Sequence, residues 1–271
     1  MTDRDMTHSN LGTALITGAS SGIGAIYADR LAARGYDLIL VARDREKLNA
    51  LARDISTRTG RSVEVLAADL LAADGLSQVE KKLQQDASIS LLVNNAGVGT
   101  HTPLLQSDAA AMQRMVDLNV SAPMRLVYAA APGFVARGKG AIINISSIVA
   151  ISPETLNGVY GGSKAFMMAF SQSLHHELGD KGVRVQAVLP GATATDFWAT
   201  GGLPVENLPA EIVMRATDLV DAALVGFDLG EVVTIPSLHQ AEQWEAFEAA
   251  RLAMAPNLSR NVPAPRYRAA V

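Results

Sequence analysis

The strongest constraint on this chain is a repeating order: nearly continuous apolar runs of strand length alternate with helical stretches. Tyr36–Ala42 reads YDLILVA with no polar alternation, and a strand of that kind must be covered on both faces. Similar runs recur at Ala14–Thr17, Ser62–Ala68, Ser90–Asn94, Ala141–Ser146, Val183–Leu189 and Val232–Ile235. Between them the pattern predicts helices at Ile23–Ala33, Asp44 to about Thr57, Ala72–Gln85, 107–137, 158–179 and 211–227. Strand-helix alternation with strands buried on both faces predicts an α/β fold: a doubly wound parallel sheet of about seven strands, with helices on both faces. No solenoid-length repeat offers another architecture. The 271 residues contain no Pro/Gly/Ser-rich linker, and 49% are hydrophobic. One domain over 1–271 is expected, with a polar tail at 1–10 and a helical tail at 236–271. Ligands of such sheets bind beyond the carboxyl ends of the strands, so the residues just after each strand carry the functional reading.

The first strand runs into Thr17-Gly18-Ala19-Ser20-Ser21-Gly22-Ile23-Gly24, with glycines spaced GxxxGxG. The dinucleotide fingerprint GxGxxG serves the same needs: a tight turn, backbone approach to a pyrophosphate, and close helix-strand contact. The following helix N-terminus offers N–H groups and partial positive charge to phosphate. The fold is therefore read as Rossmann-type, and Gly18, Ser20, Ser21, Gly22, Ile23 and Gly24 are candidate cofactor contacts. About 20 residues further on, an NAD enzyme places an acid for the ribose hydroxyls, whereas Arg accommodates a 2′-phosphate. Here the chain reads Ala42-Arg43-Asp44. Arg43 beside the ribose, with no acid at 42 to repel phosphate, predicts NADP(H) in preference to NAD(H). The alternative makes Arg43 a solvated charge and Asp44 the ribose ligand, although Asp44 fits better as a helix N-cap.

Tyr160-Gly161-Gly162-Ser163-Lys164 puts a phenol and an ammonium four residues apart on one helical face, their β-carbons within about 5–6 Å. Ser147 ends the preceding strand, and Asn119 lies early in another helical segment. TGASSGIG (17–24), Asn94-Asn95-Ala96-Gly97, Asn119, Ser147, the Tyr160/Lys164 pair and Pro190-Gly191 together resemble the short-chain dehydrogenase/reductase family, of the classical type. Order and separations match, including the thirteen positions from Ser147 to Tyr160, and the likeness runs from about Leu11 to Ile235. The resemblance implies a catalytic tetrad of Asn119, Ser147, Tyr160 and Lys164 that moves a hydride between a nicotinamide and a ketone, aldehyde or secondary alcohol. Tyr160 would be the general acid/base and Ser147 the donor to the substrate oxygen. Lys164 would also hold the nicotinamide ribose, and Asn119 a relay water. Poising a tyrosine of pKa about 10 near neutrality needs about 4 kcal/mol. An ammonium about 4 Å away supplies about that much at an effective dielectric near 20. Ser146 competes with Ser147, which spacing favours. By the same resemblance Asp69 meets the adenine with Leu70 beside it, Asn95, Ala96 and Gly97 lie beneath the adenosine ribose, and Pro190, Gly191, Thr193 and Thr195 reach the nicotinamide and phosphates. Asn94 and Asn95 serve equally well as structural side chains. The family more often has alanine or serine where this chain has Gly161-Gly162, each glycine costing a helix about 1 kcal/mol relative to alanine; a close-lying ligand or backbone would account for them.

Residues 192–210 contain Phe197, Trp198, Gly201, Gly202 and two prolines, the makings of a substrate lid; core packing is the other reading of Phe197 and Trp198. Val149, Ile151 and Leu156 would make the pocket apolar, suited to a small apolar carbonyl or alcohol. A net charge of -4 without a basic cluster argues against nucleic acid or an anionic membrane as partner. The uncharged stretch 87–107 is broken by Asn94, Asn95, His101 and Pro103, so no membrane span is expected. Without cysteine neither a disulfide nor a thiolate metal site is possible, and cytoplasmic location is the default. His175 and His176 lack companion ligands, so no metal is expected. Phe166 and Phe170 lie off the catalytic face, where the family pairs through helices, and a homodimer or homotetramer is expected. A catalytically silent, nucleotide-sensing protein of the same fold is the second functional class, although such sensors usually lose the tyrosine or lysine.

Overall fold

The computed structural model describes residues 11–267; the expected tail at 1–10, and residues 268–271, lie outside them. The described residues form two compact units, divided after Pro236. In the first, the elements run β1 (Thr13–Thr17), α1 (Gly22–Ala33), β2 (Asp37–Ala42), α2 (Arg45–Thr59), β3 (Val63–Ala67), α3 (Ala73–Gln85), β4 (Ile89–Asn94), α4 (Ala109–Val116), α5 (Ala122–Ala136), β5 (Gly140–Ile145), α6 (Gly158–Leu178), β6 (Val183–Val188), β7 (Thr193–Ala194), α7 (Phe197–Thr200), β8 (Met214–Arg215), α8 (Ala216–Leu229) and β9 (Val233–Thr234). The second contains α9 (Ala241–Met254), on which Trp244 and Phe247 stack at 5.3 Å. No helix among the described residues is long and apolar enough to cross a membrane.

Seven strands form one parallel sheet in the order β3-β2-β1-β4-β5-β6-β9. Side chains alternate across each strand, and both faces are buried. Ala14, Ile16, Leu38, Leu40, Leu91 and Val93 pack beneath α1, α2 and α8. Their neighbours Leu15, Ile39, Val41 and Leu92 pack beneath α3, α5 and α6. At about 1.5–3 kcal/mol for each fully buried large aliphatic side chain, these two layers fix the strand register. The order reverses between β1 and β4, which puts a crevice beyond their carboxyl ends.

The structure departs from the sequence reading in three places. The outermost strand β3 is not covered on both faces; Glu64 is exposed and the rest of the strand is half-buried. The last helix of the first unit starts at Ala216 and not near 211, because Thr193–Ala194 pairs with Met214–Arg215 and holds that stretch extended. The helical region 107–137 is interrupted by a π turn at Asp117–Ser121.

Candidate active site

The crevice is built first from glycine. Gly18 and Gly22 have φ of +65° and +52°, left-handed conformations open to a residue without a β-carbon. Gly24 answers a different demand, since a β-carbon there would stand 2.3 Å from the Gly18 carbonyl oxygen. The turn is clamped from β4. Thr17 Oγ1 accepts the N–H groups of Asn95 and Ala96, both at 3.0 Å, and Asn95 Nδ2 donates to the carbonyls of Thr17 and Gly18 at 3.0 and 3.1 Å. The Asn95 side chain thus serves the turn, while Asn94 lies inside the sheet and donates to Asn144 at 2.9 Å. At the N-terminus of α1, Ser21 makes no side-chain cap bond and the first turn, which includes Ile23, carries no acid. Its backbone donors therefore suit an anion, with Ser20 and Ser21 at the rim. From the other side, the Thr195 methyl lies 3.3 Å from where a Gly22 β-carbon would stand. Pro190, Gly191 and Thr193 lead to it: the Pro190 carbonyl accepts from the Ile148 N–H at 3.0 Å, and Thr193 Oγ1 donates to the Gly191 carbonyl at 3.0 Å.

Ala42 ends β2 next to Ala67, the end of β3. Arg43 then stands exposed, with no salt-bridge partner among the described residues. Asp44 caps α2, accepting from the Lys47 N–H at 3.0 Å. That occupation weakens Asp44 as a ribose ligand, and Arg43 is the first charged side chain past the end of β2. Asp69 accepts from the Leu71 N–H at 3.0 Å through one oxygen, and Leu70 is buried beside it.

The four predicted catalytic side chains converge in the interior, each of them 7% exposed or less. Asn157 caps α6 by accepting from the N–H groups of Val159 and Tyr160 and is anchored by donating to the Thr102 carbonyl at 2.7 Å. An asparagine just before a helix is a readable signal, though sequence analysis passed over it. Ser147 lies within reach of the Tyr160 phenol and acts to lower its pKa, while its Oγ donates to the Pro190 carbonyl at 3.4 Å. Ser146 instead donates to the Lys164 backbone carbonyl at 2.7 Å. Lys164 Nζ donates to the Ile145 carbonyl at 2.9 Å. Asn119 sits in the π turn, a distortion often found at functional sites. Its amide donates to the Val98 carbonyl at 2.8 Å and to Ser163 Oγ at 3.1 Å, while its oxygen accepts from the Val98 N–H at 3.0 Å. Gly97 joins the group: a β-carbon on it would stand 3.1 Å from Asn119 Oδ1 and 3.6 Å from Lys164 Nζ. A β-carbon on Gly161 would stand in ordinary contact with Pro153 at 3.4 Å, and one on Gly162 would face open space. A β-carbon at 162 would meet no protein atom, so Gly162→Ala is expected to raise unfolding stability by about 0.4–1 kcal/mol in urea titrations.

The electrostatics differ from the sequence-based arithmetic. Burial pushes the Tyr160 phenol up to about 12, against the opposing hydrogen bond from Ser147. Burial also brings the Lys164 ammonium down to about 8. Lys164 Nζ lies 5.8 Å from the centroid of the Tyr160 ring, and its charge does not offset the desolvation of the phenolate. The lysine alone does not poise this tyrosine near neutrality. A stability consequence follows for Lys164. Its folded value of about 8 lies below the ordinary 10.5, so between those values the unfolded chain binds more protons and stability rises with pH. Lys164→Met is therefore expected to gain stability relative to wild type near pH 7, and that advantage should shrink by about 3 kcal/mol by pH 10.5. Chemical denaturation of both proteins at the two pH values measures it; a difference that does not move with pH would show that Lys164 is not buried as a charge.

The short chain dehydrogenase family model matches residues 12–202. A short-chain dehydrogenase from Sphingobium yanoikuyae, solved in complex with NADPH, is 48% identical with a TM-score of 0.92, over 95% of this chain and 100% of that one. The bulky-bulky ketone specific alcohol dehydrogenase from Comamonas testosteroni is 46% identical with a TM-score of 0.88, over 96% and 99% of the two chains. The inactive hydroxysteroid dehydrogenase-like protein 1 of Homo sapiens is 33% identical over 69% of this chain and 57% of its own length. This chain spans between 56% and 60% of the length of its first five animal relatives. With seven parallel strands, a glycine turn at their switch point and a family match over most of its length, the chain belongs to the short-chain dehydrogenase family.

Proposed function

We propose that this chain is an NADP(H)-dependent oxidoreductase that interconverts apolar ketones or aldehydes and their alcohols. The observation that carries the reading is the buried meeting of Ser147, Tyr160 and Lys164. The NADPH of the Sphingobium yanoikuyae structure and the ketone specificity of the Comamonas testosteroni enzyme support cofactor and substrate class.

The uncapped turn 18–24 would hold the pyrophosphate, Arg43 the 2′-phosphate, Asp69 the adenine, and Thr193 and Thr195 the nicotinamide side. When bound, the cofactor supplies the hydride, or in its oxidised form a hydride acceptor and a positive charge. Tyr160 donates its phenolic proton to the carbonyl oxygen in reduction and takes the alcohol proton in oxidation. Ser147 donates a hydrogen bond to the same oxygen and fixes its position. Lys164 holds the ribose and returns positive charge to the site, and Asn119 fixes the Val98 backbone beside them through both its amide groups. An interface between copies of this chain, as a homodimer or homotetramer, would cover Phe166, which is 36% exposed and stacked on Phe170.

The test is loss of NADPH absorbance with a panel of apolar ketones and aldehydes. Tight NADPH binding without turnover, with Tyr160→Phe indistinguishable from wild type, would assign the chain to nucleotide sensing instead. Cofactor choice has its own test. A charge-assisted hydrogen bond contributes roughly 1.5–3 kcal/mol, so Arg43→Ala should weaken NADPH binding by about ten- to a hundredfold and barely affect NADH. Adding Ala42→Asp should reverse the preference, the new carboxylate taking the ribose hydroxyls and opposing the phosphate. kcat/KM for both cofactors with one ketone decides; a wild type that favours NADH returns Asp44 as ribose ligand.

A further inference from the structure

The chain beyond β6 returns over Tyr160, and Phe197 is the first residue of α7. The Phe197 ring lies 5.8 Å from the Tyr160 ring, tilted by 44°. It packs on the small apolar cluster of Met115, Val149 and Tyr160. It reaches that place because residue 99 is glycine. A β-carbon on Gly99 would stand 2.3 Å from Phe197 Cζ and 3.1 Å from Tyr160 Cε2. That ring carbon adjoins the one bearing the phenolic hydroxyl, so Gly99, Phe197 and the reacting edge of Tyr160 meet at one point.

Phe197 is held in place from its flanks. His101 Nδ1 is bonded to the Gly201 carbonyl oxygen at 2.9 Å. Trp198 Nε1 donates to the Thr193 carbonyl at 2.9 Å, and its ring meets that of Phe197 edge-on at 6.0 Å. The phenyl ring itself is tied only by apolar contact and can turn away without breaking a hydrogen bond. The cleft beside it is lined by Gly99, Thr100, Leu156, Trp198 and Leu203. Val149 is buried under Tyr160 and Ile151 is exposed, so of the three apolar residues expected at the pocket only Leu156 lines the cleft.

We propose that Phe197 is the specificity-determining side chain of the site: an aromatic plug seated against Gly99, which a ketone with two bulky apolar substituents displaces and a small methyl ketone leaves in place. The inference rests on the carbonyl-reducing reading above. Turning the ring away forfeits its dispersion contacts with Tyr160. A bulky substituent replaces them against the bare backbone of Gly99 and the Trp198 edge, and a methyl group does not.

The experiment measures kcat and KM for 2-butanone and for 1-phenyl-1-butanone in wild type, Phe197→Ala and Phe197→Trp. Phe197→Ala is expected to raise the bulky-to-small ratio of kcat/KM by roughly tenfold or more, chiefly through KM, and Phe197→Trp to lower it. A purely structural role would lower both activities together and leave the ratio unmoved, which overturns the proposal while the enzyme reading stands. The chain has two tryptophans, so Trp244→Phe leaves Trp198 as the only one. In that background 1-phenyl-1-butanone should change the Trp198 emission saturably, and 2-butanone should not. If wild type reduces neither ketone, the enzyme reading has failed and this emission still decides: a saturable change upholds the plug, and none refutes it.

Discussion

Replacing Tyr160 by phenylalanine is expected to lower turnover by about 10²–10⁴-fold, the usual worth of a positioned general acid or base, with NADPH affinity nearly unchanged. The substitution removes one oxygen and keeps the ring, so the packing of Phe197 and Val149 against it is preserved. The loss is therefore a loss of proton transfer and not of architecture. The burial that pushes Tyr160 up to about 12 has a directional consequence. Carbonyl reduction needs the neutral phenol, which is the resident form throughout the ordinary pH range. Alcohol oxidation needs the phenolate, which burial disfavours. Reduction rates should therefore be flat with pH as far as Tyr160 is concerned, while oxidation rates rise toward alkaline pH. Stopped-flow or steady-state absorbance at 340 nm, in both directions and with both proteins, checks the size and the sign. Wild-type rates retained by the phenylalanine variant would remove Tyr160 from the chemistry.

The sheet was legible where both faces of a strand are buried, because the runs there are dominated by apolar residues and only isolated polar ones such as Asn144 and Gln186 lie within them. Tyr36–Ala42 is read almost to the residue as Asp37–Ala42, and Asp44 is identified as a cap because its short carboxylate precedes a charged helix. Legibility failed where a tertiary partner decides. Met214–Arg215 is extended only because Thr193–Ala194 lies beside it, and nothing local marks that pairing. The π turn around Asn119 leaves no mark on the apolar periodicity of α4 and α5. At the site, the meeting of Ser147, Tyr160 and Lys164 was legible from the order of motifs, whereas the cost of burying the phenolate was not. The sequence arithmetic put an ammonium about 4 Å from the phenol and left out the cost of burying the phenolate. In the structure burial is the larger effect and pushes the phenol up to about 12. Gly99 escaped notice for a related reason, since its importance lies in a contact with Phe197, almost a hundred residues away in the chain.

The two adjacent serines allow the sharpest separation of structure from chemistry. Both are buried, at 2% and 7% exposure, so burial does not distinguish them. Their partners do. The Ser146 hydroxyl is committed to the Lys164 backbone carbonyl at 2.7 Å, which ties β5 to α6. The Ser147 hydroxyl has only long contacts to the backbone, 3.4 Å to the Pro190 carbonyl and 3.4 Å to the Val149 N–H, distances at which a hydrogen bond is weak. It also acts on the Tyr160 hydroxyl, so it can turn to a substrate oxygen at little cost. Ser147→Ala is expected to lower kcat/KM for ketone reduction by about 10²–10³-fold, the roughly 2.7–4 kcal/mol of a lost preorganised donor, and to leave unfolding stability nearly unchanged. Ser146→Ala should do the reverse, costing about 1 kcal/mol of stability for one buried hydrogen bond with kcat within a few fold of wild type. Measuring kinetics and urea unfolding on both variants separates the roles. An interchange of the two phenotypes would move the oxygen donor to Ser146 and require α6 to sit differently when substrate is bound.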